Sequence, residues 1–403
     1  MSCVRGAIDF CRRGERLIFA RMNQASFYHD LRLAVLGGGQ LGRMLIQSAI
    51  DYNVHISVLD PSAEAPCRPY AHRFEQGSLT DYDTVYAFGK AADLITIEIE
   101  NVNTEALLAL QAEGKTVYPD PKTIQMIQDK RQQKQFFADH DFPTADFWLT
   151  ESAEEVASHI DKLPAVQKLG RAGYDGRGVQ VLREAADLSK AFDAPSLIES
   201  FVPFEKEIAV LVARNPSGEV KTFPIVEMVF HPEHNLVEYL MSPAEISESV
   251  AGEARLIAER LVGSLEYVGL MAIEMFVLPD GNVLINELAP RPHNSGHQTI
   301  KANATSQYEQ HLRAILDLPL GATTQFCPAA MVNLLGAEDH RGSAQYEGMR
   351  EILQMDGVYP HIYGKAETKP YRKMGHVSIV DQEVAGLKEK VQKVRNLVRV
   401  IAQ

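Results

Sequence analysis

Cysteine is scarce: Cys3, Cys11, Cys67 and Cys327 are the only four in 403 residues, and no two share a CxxC spacing. That excludes a cysteine-built zinc site and a disulfide framework, and it suits a reducing compartment, the cytoplasm. No apolar run approaches the ~20 residues that carry a helix across a bilayer. Basic residues are outnumbered, 40 Lys and Arg against 53 Asp and Glu, for a net charge of -13. A surface of that sign repels nucleic acid and anionic membranes, so any phosphate must be met by a local basic pocket. The first 21 residues carry several Arg beside Asp9 and Glu15 but lack the apolar core and cleavage site of a secretory signal. Residues 1–30 are expected to be a disordered extension, with Met22 as an alternative start.

What is present is ordinary globular material, 45% hydrophobic and 23% charged, in a chain long enough for two or three domains. LRLAVLG from Leu31 reads as a buried strand. It runs into Gly37-Gly38-Gly39-Gln40-Leu41-Gly42, a helix, and a second strand ending at Asp60. This satisfies the dinucleotide fingerprint, although the same glycines are needed wherever a strand turns tightly into a helix whose N-terminus faces an anion. ADLITIEIEN, residues 92–101, is a further strand that offers Glu98 and Glu100. Tyr118-Pro119-Asp120-Pro121 breaks the chain, and one basic amphipathic helix over Thr123–His140, carrying Lys130, follows.

Two stretches concentrate chemistry. Over residues 163–182 a strand bearing Lys168 enters the loop GRAGYDGRG, residues 170–178, and returns as a strand. The lysine precedes the glycines and no helix follows, so this is no Walker loop. It is a flap whose backbone N–H groups can close over phosphates. Over residues 271–299 two strands meet at an Asp280-Gly281 turn. Closing Leu278 against Val283 sets Glu274 directly opposite Glu287. Opposed residues lie about 5 Å apart, where like charges repel. A shared proton, an Arg or a hard cation such as Mg²⁺ would relieve them. The loop after the pair, Leu288 to His297, is dense in donors, and Asn286, Arg291, His293 and Asn294 crowd around the carboxylates. Helices over residues 250–268, with Leu256, Ile257 and Leu261 as core, and 307–318 follow. Near the end Lys365, Arg372 and Lys373 form a basic cluster suited to a monophosphate.

GGGQLGRM, GRAGYDGRG, ESFVPFEKE, NELAPRPHNSGH and YGK with RKMGH stand in order from Leu31 to about Val380. In that set the chain resembles the 5-(carboxyamino)imidazole ribonucleotide synthase family of the ATP-grasp superfamily. The resemblance implies α/β and α+β architecture: a Rossmann-like parallel-sheet domain (31–122), an ATP-grasp domain (123–320, flap about 140–202) and a small β-rich C-terminal domain (321–403). It implies ATP-dependent carboxylation of 5-aminoimidazole ribonucleotide by bicarbonate through carboxyphosphate, in purine biosynthesis. ATP would bind Lys130, Lys168, Gly173, Tyr174, Asp175, Gly176, Arg177, Gly178, Glu199, Ser200, Phe201, Val202, Glu207, His231, Asn286 and Glu287. Glu274 and Glu287 would hold one Mg²⁺ or two. The ribonucleotide would meet Gln40, Leu41, Glu98, Tyr174, Arg177, Lys365, Arg372 and Lys373.

Catalysis would fall to Asp175, Arg291, His293, Asn294 and Lys365, with Asp175 or His293 moving the amine proton. A homodimer is implied, as is a mutase that takes the product. Two positions depart from the family pattern: Ala289 stands where many ATP-grasp enzymes have a third ligand, Asn, and Lys130 where Arg is common. Three alternatives remain, namely another ATP-grasp ligase, an NAD-dependent oxidoreductase using Gly37–Gly42, and a nucleotide sensor without turnover.

Overall fold

The computed structural model describes residues 31–171, 178–230 and 237–403. The first sheet holds β1 (Arg32–Leu36), β2 (His55–Asp60), β3 (Arg73–Gln76), β4 (Leu94–Ile97) and β5 (Thr116–Val117). All five are parallel, in the order β3-β2-β1-β4-β5. Both faces are covered, which is why β1 and β4 read as nearly unbroken apolar runs. Leu33 and Val35 pack into one core with Met44 and Leu45, while Ala34 and Leu36 pack into another with Val85 and Leu107. Leu312 and Ile315, from the distant helix Gln307–Ile315, complete the first of these cores.

The basic segment before the flap is two helices, Pro121–Gln128 and Lys130–Asp139, and not the single one expected. Asp129 is the break: its carboxylate accepts from the Arg131 N–H as the N-cap of the second helix. The next sheet is antiparallel, in the order β6 (Phe147–Thr150), β9 (Ser196–Ser200), β7 (Ala165–Leu169), β8 (Val179–Leu182). The expectations placed on Gly173, Tyr174, Asp175, Gly176, Arg177, His231 and residues 1–30 lie outside the described residues.

A nine-stranded sheet forms the rest of the scaffold. Its strands are β10 (Lys206–Arg214), β11 (Val220–Thr222), β12 (Val226–Phe230), β13 (Val237–Ser242), β14 (Gly269–Val277), β15 (Val283–Ala289) and β16 (Ala329–Leu335). After β17 (Gly342–Glu347) come two more, β18 (Val358–Ile362) and, past β19 (Glu367–Thr368), β20 (Lys373–Val380). The order is β15-β14-β10-β12-β13-β16-β20-β18, with β11 on β10. The β13–β16 ladder, Tyr239 opposite Val332, makes one continuous sheet of the central and C-terminal parts. β17 pairs with β19 and with β21 (Arg399–Ala402).

Helix Glu248–Ser264 covers β10 and β14 with Ala254, Ile257, Ala258 and Leu261, one stripe at 3.6-residue spacing. Leu256, expected in that core, falls off the stripe and is exposed. A C-terminal helix, Val384–Leu397, buries Leu387, Val391 and Val394 against β16 and β20.

Candidate active site

The β14–β15 hairpin reaches its carboxylate pair by a different route from the one counted. Val277, not Leu278, pairs with Val283, and the Leu278 N–H donates to the Asn282 carbonyl at 2.9 Å. From that closure a regular ladder would bring Glu274 opposite Asn286. A bulge intervenes: Ile285 pairs with Met275, Asn286 is skipped, and Glu287 pairs with Glu274. Successive residues of a strand point to opposite faces, whereas a bulge re-aims the extra one. Here it brings Asn286 into the cleft beside Glu287. Asn286 Oδ1 accepts from Lys168 Nζ at 2.9 Å, and its Nδ2 donates to Glu207 Oε1 at 3.3 Å.

Glu207 brings a third carboxylate to this face. Glu274 is opposite Ala209 on β10, and Glu207 lies two residues earlier on that strand, on the same side. Burial, then the Glu287 and Glu207 carboxylates, push Glu274 well above the usual range. Burial and Glu287 push Glu207 up to about 7. Glu287 escapes because Lys130 is ion-paired with it and holds it below the usual range. Its side chain stays 40% exposed to the cleft, where water screens part of that attraction.

Among the described residues Lys130 is the lysine ion-paired with these carboxylates, and with Glu274 and Glu207 both raised the centre is one to which a divalent cation would add the favourable charge. Among the described residues no three His, Cys, Asp or Glu side chains form a ready-made metal cage. Mg²⁺ needs none, since it is commonly held by one or two carboxylates plus phosphate oxygens and water.

Above the hairpin, Glu199 of β9 is buried between two lysines, Lys168 at 2.9 Å and Lys134 at 3.1 Å. Burial opposes its charge, yet Lys168 and Lys134 hold it below the usual range. Burial in turn brings Lys134 down to about 8 despite Glu199. Sequence reasoning missed Lys134. The signal was its place four residues after Lys130, on the same helix face. The amides of Ser200 and Phe201, two of the residues expected to bind ATP, already donate to the Asp146 and Pro164 carbonyls. That narrows the expectation to the segment around Val202.

The glycine loop is closed by the chain itself. β4 ends at Ile97, so Glu98 and Glu100 lie just beyond its carboxyl end. The Glu98 carboxylate accepts from the Leu41 N–H at 3.0 Å, at the start of helix Gln40–Asp51, which has no side-chain cap of its own. A Cβ on Gly39 would come within 2.5 Å of Glu98 Oε1, and one on Gly37 within 2.8 Å of Oε2. These glycines therefore make room for an internal carboxylate. Asp60, the acid a dinucleotide ribose would need, accepts instead from the Gly38 and Ser62 N–H groups at 2.7 and 2.8 Å. Burial raises Glu98 to about 7, with Arg291 pulling the other way.

Arg291 is clasped by Glu100, Nη2 lying 2.8 Å from one carboxylate oxygen and 3.0 Å from the other. This ties the loop after β15 to the first domain. His293 Nε2 faces Glu274 Oε1 at 3.7 Å. Asn294 opens the short 3-10 turn Asn294–Gly296. The tail cluster is only partly gathered. Lys365 Nζ donates to the Lys373 carbonyl at 2.6 Å, and Lys373 is near enough to act on Glu274. Arg372 turns its guanidinium to the Glu367 carbonyl at 2.7 Å.

Three family models match in chain order: a ribonucleotide synthetase preATP-grasp domain over residues 31–128, an ATP-grasp domain over 135–308, and a phosphoribosylaminoimidazole carboxylase C-terminal domain over 329–390. The chain is 39% identical to the N5-carboxyaminoimidazole ribonucleotide synthase of Synechococcus elongatus, over 89% of this chain and 91% of that one. Among solved structures it is similar to the N5-carboxyaminoimidazole ribonucleotide synthetase of Thermotoga maritima, with 38% identity, TM-score 0.86, and 93% and 100% of the two chains covered. It is also similar to the Aspergillus clavatus synthase in complex with ADP and 5-aminoimidazole ribonucleotide, with 30% identity, TM-score 0.83, and 92% and 98% covered.

Proposed function

Because the chain belongs to the N5-carboxyaminoimidazole ribonucleotide synthase family, it is an ATP-dependent ligase of purine biosynthesis, and we propose here how its residues divide the work. The reaction joins bicarbonate to the exocyclic amine of 5-aminoimidazole ribonucleotide at the expense of ATP. The observation that carries the residue assignment is the bulged hairpin, which sets Glu274 and Glu287 opposite each other within reach of Lys130 and Lys168.

Glu274 and Glu287 would hold Mg²⁺, with Asn286 beside them, and the ion would supply positive charge against the triphosphate. Lys130 and Lys168 pass from their acid partners to the phosphates. Glu199 and the Val202 segment face the adenine, and Glu207 the ribose. Lys134 keeps Glu199 charged as Lys168 moves away. Flap residues 170–178 close over the phosphates, which keeps water from the carboxyphosphate formed on bicarbonate.

Arg291, held in place by Glu100, seats bicarbonate together with His293 and Asn294, and its fixed charge stabilises the transfer. Gln40, Leu41 and Glu98 wall the ribonucleotide side. Lys365, Lys373 and Arg372 take the monophosphate, with Tyr174 and Arg177 closing from the flap. Asp175 orients the amine and accepts its proton, with His293 as the other base. We assign the domains as 31–122, 123–320 and 321–403, a homodimeric assembly, a cytoplasmic setting, and delivery of product to a mutase. The test is ADP release with and without 5-aminoimidazole ribonucleotide and bicarbonate. Release that requires both carries the assignment, and release indifferent to the ribonucleotide overturns it.

A further inference from the structure

Two glutamines on helix Gln307–Ile315 make the same kind of contact with different targets. Gln310 Nε2 donates to the Gly321 carbonyl at 3.0 Å, and its Oε1 accepts from the Gly321 N–H at 2.8 Å. One side-chain amide thereby satisfies both polar groups of one peptide residue and secures a connecting loop. Gln307 does this to His293. Its Oε1 accepts from the His293 N–H at 2.8 Å, and its Nε2 donates to the His293 carbonyl at 2.8 Å. Because the partners are a backbone donor and a backbone acceptor, the orientation of the amide is unambiguous. The second Nε2 hydrogen faces His297 Nδ1 at 3.1 Å.

Gln307 is fully buried, its own N–H donates to Thr299 Oγ1 at 2.9 Å, and its helix is anchored in the core of the first domain. A Cβ on Gly296 would collide with Oε1, so the NSG turn is shaped around this side chain. Few other side chains suit the position. Asn is one methylene too short, Glu cannot donate to the carbonyl, and an apolar isostere would leave buried backbone groups unpaired.

We infer that Gln307 is the positioning residue for His293. By holding both backbone groups it keeps His293 extended, at φ -129° and ψ 159°, so that its Nδ1 accepts from the Ser295 N–H at 3.3 Å and lies 2.9 Å from Ser295 Oγ. With Nδ1 used as an acceptor, the ring carries its hydrogen on Nε2, the nitrogen that faces Glu274. The amide therefore selects both where the imidazole points and which nitrogen it presents to the carboxylate centre. Gln310, three residues on, performs the same contact with no catalytic residue at the other end, and it is the built-in control.

The role of His293 in turnover rests on the function proposed above, whereas its orientation does not. The test therefore reads both. Gln307→Met, Gln307→Glu and Gln310→Met are compared in the full chain for ADP release, melting temperature and the ¹⁵N resonances of histidine-labelled protein, with the His293 signal identified by its loss in His293→Gln.

Both methionine variants should melt lower. Only the Gln307 variants should lose kcat, roughly tenfold to a hundredfold, with the KM for ATP nearly unchanged. Only they should move the His293 signal away from its wild-type position, which is set by Nδ1 accepting from the Ser295 N–H and Nε2 facing Glu274. Equal kcat losses at Gln307 and Gln310, or an unmoved His293 signal in Gln307→Glu, would overturn the inference. Should Gln307→Met fail to fold, the charge-bearing isostere gives the same two readouts. A wild-type chain whose ADP release ignores the ribonucleotide, with the His293 signal still dependent on Gln307, would overturn the proposed function and leave the positioning intact.

Discussion

The β14–β15 hairpin and the Gly37–Gly42 loop both set acids against a feature known for binding ligands, and they end in opposite states. At the hairpin, Glu274, Glu207 and Glu287 crowd one face with too little positive charge among them, and Glu274 is pushed far from its normal range. At the loop, Glu98 and Asp60 are consumed by the chain's own N–H groups at Leu41, Gly38 and Ser62. The lesson is one of accounting for partners. A fingerprint marks a site for an external ligand only where the fold leaves its polar groups unspent.

The hairpin is where that contrast breaks most easily. Glu287→Gln should cut ADP formation at saturating Mg²⁺ by at least about a hundredfold, on the scale of losing one transition-state electrostatic group. Its melting temperature should hold. Turnover near normal would remove the pair from the mechanism.

Second in size is the tail. Arg372→Ala with Lys373→Ala should raise the KM for 5-aminoimidazole ribonucleotide about tenfold or more, while the KM for ATP changes little. Lys373 should account for most of the loss, since Arg372 is committed to the Glu367 carbonyl. A shift in ATP alone would mean that the two subsites have been exchanged.

The third prediction tests the loop through pH. Glu98 holds its proton up to about 7 in the folded chain, whereas its ordinary value is 4.5. Between those values the native state binds a proton the unfolded state has released, so its contribution to stability falls as pH rises through the window. Wild type should lose up to about 3 kcal/mol between pH 4.5 and 7 that Glu98→Gln does not. Denaturant titrations of both across that range decide it, and parallel curves would place the Glu98 proton elsewhere. The smallest expected effect is none: calorimetric titration with NAD⁺ should show no saturable heat, and micromolar binding would reopen the loop as a cofactor site.

Local pattern carried much of this. β1, β2 and β4 of the first sheet were readable because burial leaves apolar runs, whereas the polar β3 and the two-residue β5 were not, and the Glu pair was readable because a hairpin converts sequence distance into cross-strand contact. The Glu pair was nonetheless reached through a turn closed one residue too far on β14, an error offset by the bulge at Asn286. No local rule announces such a bulge, whose stability comes from Lys168 and Glu207 on other strands.

Other misses had signals that went unused. Val384, Leu387, Val391 and Val394 recur at helical spacing in the C-terminal helix, and Asp129 is a good N-cap residue in mid-pattern. Gln307, Glu100 and the closure of the glycine loop by Glu98 belong to tertiary structure. Each is one polar side chain whose partner is distant in the chain: 14 residues for Gln307 and His293, 191 for Glu100 and Arg291, and 57 for Glu98 and Leu41.

Glu98 can also be viewed as a competitive inhibitor that the chain carries on a short tether. Its attachment at the end of β4 presents it to the Leu41 amide at an effective concentration far above that of a free metabolite, at least millimolar for a flexible linker. An incoming pyrophosphate would have to displace a resident that never diffuses away. One acid at the end of a neighbouring strand is thus enough to occupy the amide that a bound phosphate would need, without altering a single glycine. Among folds that share this glycine pattern, the residue to inspect is the one that follows the fourth strand.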